Sequence, residues 1–194
     1  MKKKKELQMP ATEELEQELQ RLQYKDRYRS ALKSTVYTLI TVAAAVVLVA
    51  TLWLPVLQIY GSSMTPTLQA KDIVVTLKHS EVKRGDIIAF YYNNKILIKR
   101  VIATPGQWVD IDEAGQVFID GHPLQEPYIQ EPAFGDTNIK LPYQVPDGKI
   151  FVMGDHRETS LDSRNTAVGT VSQEQLVGKI LLRIWPFDRA GEIS

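Results

Sequence analysis

The chain has 194 residues, 44% of them hydrophobic, with 23 Lys and Arg against 23 Asp and Glu and no Cys. Without Cys there can be no disulfide, thiolate nucleophile or Cys-ligated zinc. The three His residues, His79, His122 and His156, have no helical i,i+4 spacing, so neither a metal nor a cofactor is expected. The zero net charge is the sum of two unlike parts: residues 1–33 carry nine basic and six acidic side chains, and the remaining 161 carry 14 and 17. That larger part has no basic patch, which argues against nucleic acid as a partner.

Between the two parts lies Ser34 to Ile59, 26 residues without a formal charge. A hydrocarbon core about 30 Å thick needs roughly 20 helical residues, so this run can span a membrane. It is longer than the apolar region of a removable signal peptide and begins too far from the N-terminus, which favours an uncleaved signal anchor. Ahead of it, residues 11–33 read as a helix, because Leu15, Leu19 and Leu22 recur at four and three residues, with Glu early and Lys/Arg late as the helix dipole prefers. Met1 to Met9, with four consecutive lysines, reads as a tail that seeks an anionic lipid surface. Arg21, Lys25, Arg27, Arg29 and Lys33 precede the run, whereas only Lys71 is basic in residues 60–74, so residues 1–33 stay cytoplasmic and residues 60–194 lie outside.

Beyond Tyr60 short β-branched and aromatic runs alternate with turn residues, which predicts a mainly β domain. Strands are expected at residues 72–77, 86–92, 95–102, 149–153 and 178–185, and hairpin turns at Asn93-Asn94, Glu113–Gly115 and Asp120-Gly121. Residues 108–112 and 116–120 flank one of those turns, so a small inserted β subdomain is expected over roughly residues 106–148.

Three clusters carry candidate chemistry: Gly61-Ser62-Ser63-Met64-Thr65-Pro66-Thr67-Leu68; Ile96-Leu97-Ile98-Lys99-Arg100-Val101-Ile102; and the polar stretch from Met153-Gly154-Asp155-His156-Arg157 to Ser160-Leu161-Asp162-Ser163-Arg164. Alone, the first is a Ser/Thr-rich turn, the second a strand with a basic pair, and the third a surface ion-pair loop or a cation-binding loop. Together they suggest more. A serine hydroxyl needs a base to become a nucleophile, and lysine is a base only when neutral. Burial disfavours the ammonium form, and Lys99 follows three aliphatic residues. Ser–Lys pairs are a known variant of the Ser-His-Asp arrangement.

The order Ser-Met-x-Pro-Thr-Leu, then Ile-Lys-Arg-Val, then Met-Gly-Asp-x-Arg-x-x-Ser-x-Asp-Ser-Arg resembles the type I signal peptidases of bacteria, from the anchor to Trp185-Pro186. The resemblance implies a membrane-anchored serine endopeptidase that removes signal peptides after small residues at −3 and −1 (Ala-x-Ala). It implies Ser63 as nucleophile, Lys99 as general base and Ser160 as the hydroxyl that hydrogen-bonds and orients the base. Asp155 with Arg100, and Asp162 with Arg164, are implied as structural ion pairs. Ile59, Met64, Leu68 and Ile98 match positions that line the pockets for small substrate side chains, with the substrate added as an extended strand. Two positions depart from the pattern: Gly61 stands where some members have a Ser that assists the oxyanion, and His156 stands where Asn is frequent.

The implied partners are signal peptides of exported preproteins, the lipid bilayer and, by proximity, the export translocon. The nine residues from Leu54 to Ser63 reach at most roughly 30 Å, which keeps the nucleophile close to the outer membrane face. Two rival readings are a His-based serine protease using His156 and a membrane-anchored binding or assembly module with an inert serine and lysine.

Overall fold

The structure, a computed structural model, describes residues 12–193. The expected lipid-seeking tail at residues 1–9 lies outside the described residues. The chain divides into an N-terminal helical unit up to Val49 and a second unit from Ala50 onward.

Helix α1 runs without interruption over Thr12–Trp53, 42 residues. Its segment Leu15–Trp53 is long and apolar enough to cross a membrane. The Thr35, Thr38 and Thr41 hydroxyls each donate to the carbonyl oxygen four residues earlier, at 2.8–3.0 Å. Their polar groups are thus satisfied within the helix, as a low-dielectric surrounding demands. Leu15, Leu19 and Leu22 are all exposed.

The uncharged run does not form a helix to its expected end at Ile59. The helix stops at Trp53, and Pro55 accounts for it: the residue before a proline is driven out of the helical region, and proline itself brings no N–H. Strand β1, Val56–Gln58, follows and pairs antiparallel with β2, Ile73–Leu77. The Pro55 carbonyl accepts both the backbone N–H and the hydroxyl of Thr76, at 2.9 and 3.0 Å.

The expected strands are present: β3 (Ile87–Tyr92), β4 (Lys95–Ala103), β5 (Trp108–Ile111) and β6 (Val117–Ile119). After them come β7 (His122–Pro123), β8 (Tyr143–Gln144), β9 (Lys149–Met153), β10 (Val171–Ser172), β11 (Leu176–Trp185) and β12 (Gly191–Glu192). The larger sheet has the order β1-β2-β11-β3-β4-β9-β10, with β12 on β11, and the smaller sheet the order β7-β6-β5-β8. Asp120 and Gly121 both have positive φ, +53° and +79°, in the two-residue turn that joins β6 to β7. That is the backbone a tight hairpin requires, and Asp-Gly supplies it at little cost.

The smaller sheet, drawn from residues 108–144, does not have a core to itself. Ile102, Phe151 and Met153 of the large sheet pack in one buried cluster with Val109, Ile111, Val117, Ile119 and Val145. A second cluster joins Ile59, Met64, Leu68, Val74, Ile87 and Ile180, and a third joins Ile88, Phe90, Val101, Val152 and Val171.

Candidate active site

Ser63 sits in the turn between β1 and β2. Met64 and Leu68 after it and Ile59 before it are buried, so apolar residues on either side pin the backbone that carries the hydroxyl. Two short-range bonds curl it, Thr65 N–H to the Ser62 carbonyl at 3.0 Å and Leu68 N–H to the Met64 carbonyl at 2.9 Å. Arg183 of β11 donates to the Thr67 carbonyl and to Asp72, both at 3.0 Å, which ties the far end of the turn to the sheet. The Ser63 carbonyl accepts the His156 backbone N–H at 3.0 Å, docking the turn on the third motif.

Lys99 comes from the middle of β4, opposite Ile88 of β3. Its side chain is buried and its Nζ donates to Ser63 Oγ at 2.6 Å. Burial lowers its pKa from 10.5 to about 8; Asp162 and Asp155 oppose that shift, and Arg164 adds to it. With an ordinary pKa only roughly 3 lysines in 10,000 would be neutral at pH 7, whereas near 8 about a tenth are. The buried strand position thus raises the neutral share of this lysine several hundredfold.

Both expected ion pairs form, fully buried. Arg100 donates to both Asp155 oxygens at 2.9 and 2.8 Å, and Arg164 to both Asp162 oxygens at 2.9 Å. Asp162 also accepts the Gly154 N–H at 3.0 Å, which shapes the loop beside the dyad. Gly154 has no room for a side chain: a Cβ there would lie 2.2 Å from Ser160 Oγ and 2.5 Å from the Ser63 carbonyl oxygen.

Ser160 departs from its expected role. Its Oγ is buried and makes no hydrogen bond, so the expected Ser160–Lys99 bond is not formed here; the Lys99 ammonium is directed to Ser63 instead. The His156 ring is exposed and meets Thr159 Oγ1 at 2.7 Å, while the Ser63 hydroxyl is bonded by Lys99. At Gly61 an added Cβ would meet nothing within 4 Å.

Ile59, Met64 and Leu68 do come together, with Ile98 packed against them. Leu68 is fully covered and so forms the floor of that region rather than an open wall. Lys95–Arg100 of β4 pair with β3 on one edge, whereas β9 pairs only with Arg100–Ala103 on the other. Among the described strands, then, the other edge of Lys95–Lys99 has no partner, and β1 is likewise an edge strand.

Four residues of the site carried no sequence assignment. Thr67 donates to Asp155 Oδ2 at 2.5 Å, and Arg157 is buried with its Nε on the Gly154 carbonyl at 3.0 Å. Glu126 pairs with Arg157, and the Tyr128 ring lies 3.9 Å from the Arg100 guanidinium carbon. Thr67 and Arg157 stand inside the recognised motifs and were open to assignment; Glu126 and Tyr128 stand in a segment without one. Among the described residues no group of three or more His, Asp or Glu side chains is placed to hold a metal ion.

Comparison with known proteins identifies the family. The family model described as "Signal peptidase, peptidase S26" matches residues 32–185. The chain is 40% identical over 149 residues to a probable signal peptidase I-1 of Synechocystis, covering 69% of this chain and 72% of that protein. It is 34% identical over 163 residues to signal peptidase I of Bacillus licheniformis, covering 77% and 86%. A signal peptidase I structure from Enterococcus faecalis aligns with a TM-score of 0.42 at 30% identity, over 52% of this chain and 97% of that one. The family model spans most of the chain, and both relatives exceed 30% identity, so the chain belongs to the signal peptidase family, peptidase S26.

Proposed function

We propose that the protein is a membrane-anchored endopeptidase that removes signal peptides from exported preproteins by a Ser63–Lys99 mechanism. The observation that carries this reading is the 2.6 Å contact between Lys99 Nζ and Ser63 Oγ at a lysine whose burial favours the neutral amine. Neutral Lys99 accepts the Ser63 proton as Oγ attacks the scissile carbonyl. The protonated lysine then gives that proton to the departing amine as the C–N bond breaks, leaving an ester on Ser63. Water, deprotonated by the same lysine, attacks the ester, and the released serine oxygen recovers the proton. The Ser63 backbone N–H supplies one oxyanion donor in this scheme, and Gly61 offers no hydroxyl to assist it.

Substrate enters as an extended strand between the segment leading into Ser63 and the open edge of β4, gaining main-chain hydrogen bonds there. Ile59, Met64, Leu68 and Ile98 shape shallow apolar recesses that favour Ala-sized side chains at −3 and −1. The α1 helix anchors the chain, with the basic residues 1–33 in the cytoplasm and residues 60–194 outside, near the translocon from which preproteins emerge.

Ser63→Ala and Lys99→Ala should each lower cleavage of a preprotein by about a thousandfold or more while leaving the fold intact by circular dichroism. Processing at the wild-type rate by either variant would overturn the dyad. In the wild type, kcat/KM should rise about tenfold between pH 7 and pH 9, because the neutral fraction of a lysine titrating near 8 rises by that factor. A flat profile over that range would count against a lysine base. His156→Asn, under the same reading, leaves the rate nearly unchanged.

A further inference from the structure

The third motif is braced from outside by the long connection between β7 and β8, residues 124–142, which the dyad mechanism does not use. Three buried arginines reach it. Arg157 pairs in a fork with Glu126, Nη1 to Oε2 at 2.8 Å and Nη2 to Oε1, with 0% and 3% of the two side chains exposed. The Tyr128 hydroxyl donates to the same Glu126 Oε1 at 2.7 Å, and its ring covers the Arg100 guanidinium. Arg164 Nη1 donates to the carbonyls of Ala133 and Phe134 at 3.1 and 3.0 Å.

From Glu126 a short physical path leads to the nucleophile. Arg157 uses its fork on Glu126 and its Nε on the Gly154 carbonyl, at 3.0 Å. Gly154 is wedged between Ser160 Oγ and the Ser63 carbonyl with no space for a methyl group. A buried guanidinium that loses its carboxylate must regain water or move. Either response shifts the Gly154 turn, and with it the Ser63 backbone packed against that turn, whose hydroxyl Lys99 bonds.

We propose that Glu126, seconded by Tyr128, is a positioning residue of the active site: through Arg157 it holds the Gly154–Ser160 turn against Ser63 and keeps water from Lys99. The proposal rests on the Ser–Lys reading above. The groups that act on Lys99 are Ser63, which it bonds from the turn, and the charges of Asp162, Arg164 and Asp155 in the third motif. Burial is the largest cause of the lowered lysine pKa, so admitting water raises that pKa toward its ordinary value.

The test is the kcat/KM–pH profile of the full chain in detergent, on a quenched peptide with Ala at −3 and −1. Glu126→Gln should lose about tenfold near pH 7.5, as a one-unit rise in the lysine pKa requires, with the deficit shrinking to less than about threefold near pH 10. KM should stay within about twofold, since Glu126 is placed to touch the brace and not the substrate. A merely structural role would instead cut activity by the same factor at every pH. Tyr128→Phe removes one hydrogen bond and leaves the ring on Arg100; it should shift the profile the same way by a smaller amount. A folded Glu126→Gln with the wild-type profile overturns the proposal. Should that variant not fold, a wild-type profile for Tyr128→Phe overturns it equally. Failure of the Ser–Lys reading looks different: the wild type itself would show no alkaline rise, and Ser63→Ala would still cleave.

Discussion

Lys99 shows how a single position can set function against stability. Its folded-state pKa of about 8 lies below the ordinary 10.5, so the unfolded chain binds the extra proton more readily than the folded one. By linkage, stability increases with pH between those two values, and at pH 7 the buried lysine costs about 3 kcal/mol. Lys99→Met keeps the length and removes the charge. It should be inactive yet raise the Tm of the detergent-solubilised protein at pH 7, with most of the gain gone by about pH 10.5. A lower Tm at pH 7 would mean that the bond to Ser63 outweighs the burial penalty. The residue type and its aliphatic neighbours were readable from the chain. Its burial was not, because that depends on Ser63, 36 residues away.

At the scale of elements, the third motif behaves as a loop built around a missing side chain. Gly154 lets the Ser63 carbonyl and Ser160 approach from two sides, and its N–H is fixed by Asp162. Gly154→Ala should therefore destabilise the fold by about 1–3 kcal/mol and lower activity by more than that loss of folded protein explains. Urea titration and kcat on the same preparation would separate the two effects; wild-type kcat at unchanged stability would show that the turn yields freely. Elements with a strong local pattern were legible. The β3–β4 hairpin follows the expected boundaries within one residue, since its β-branched and aromatic runs meet at Asn93-Asn94. By contrast β1 was hidden in an apolar run that suits a membrane helix equally well. Pro55 was the available signal, and pairing with β2 supplies the rest. The two-residue strands β7, β8, β10 and β12 have too few residues for any periodicity to register.

For the whole molecule, the smaller sheet shares a core with the large sheet. The connection at residues 124–142 in turn meets three buried arginines, Arg157 and Arg164 of the third motif and Arg100 of β4. Composition and pattern by themselves determined an apolar span and a mainly β remainder, because these depend on residue type and short spacings, whereas the pairing of Ser63 with Lys99 and of the two carboxylates with the two arginines was an implication of the family resemblance. The tertiary structure alone decided where the helix yields to a strand, that the Lys99 amine meets the Ser63 hydroxyl in a buried setting while Ser160 makes no bond, and that Glu126 pairs with Arg157 while the Tyr128 ring lies on Arg100. Those outcomes depend on contacts between residues dozens of positions apart, and on the water such contacts exclude, neither of which leaves a local trace in the chain.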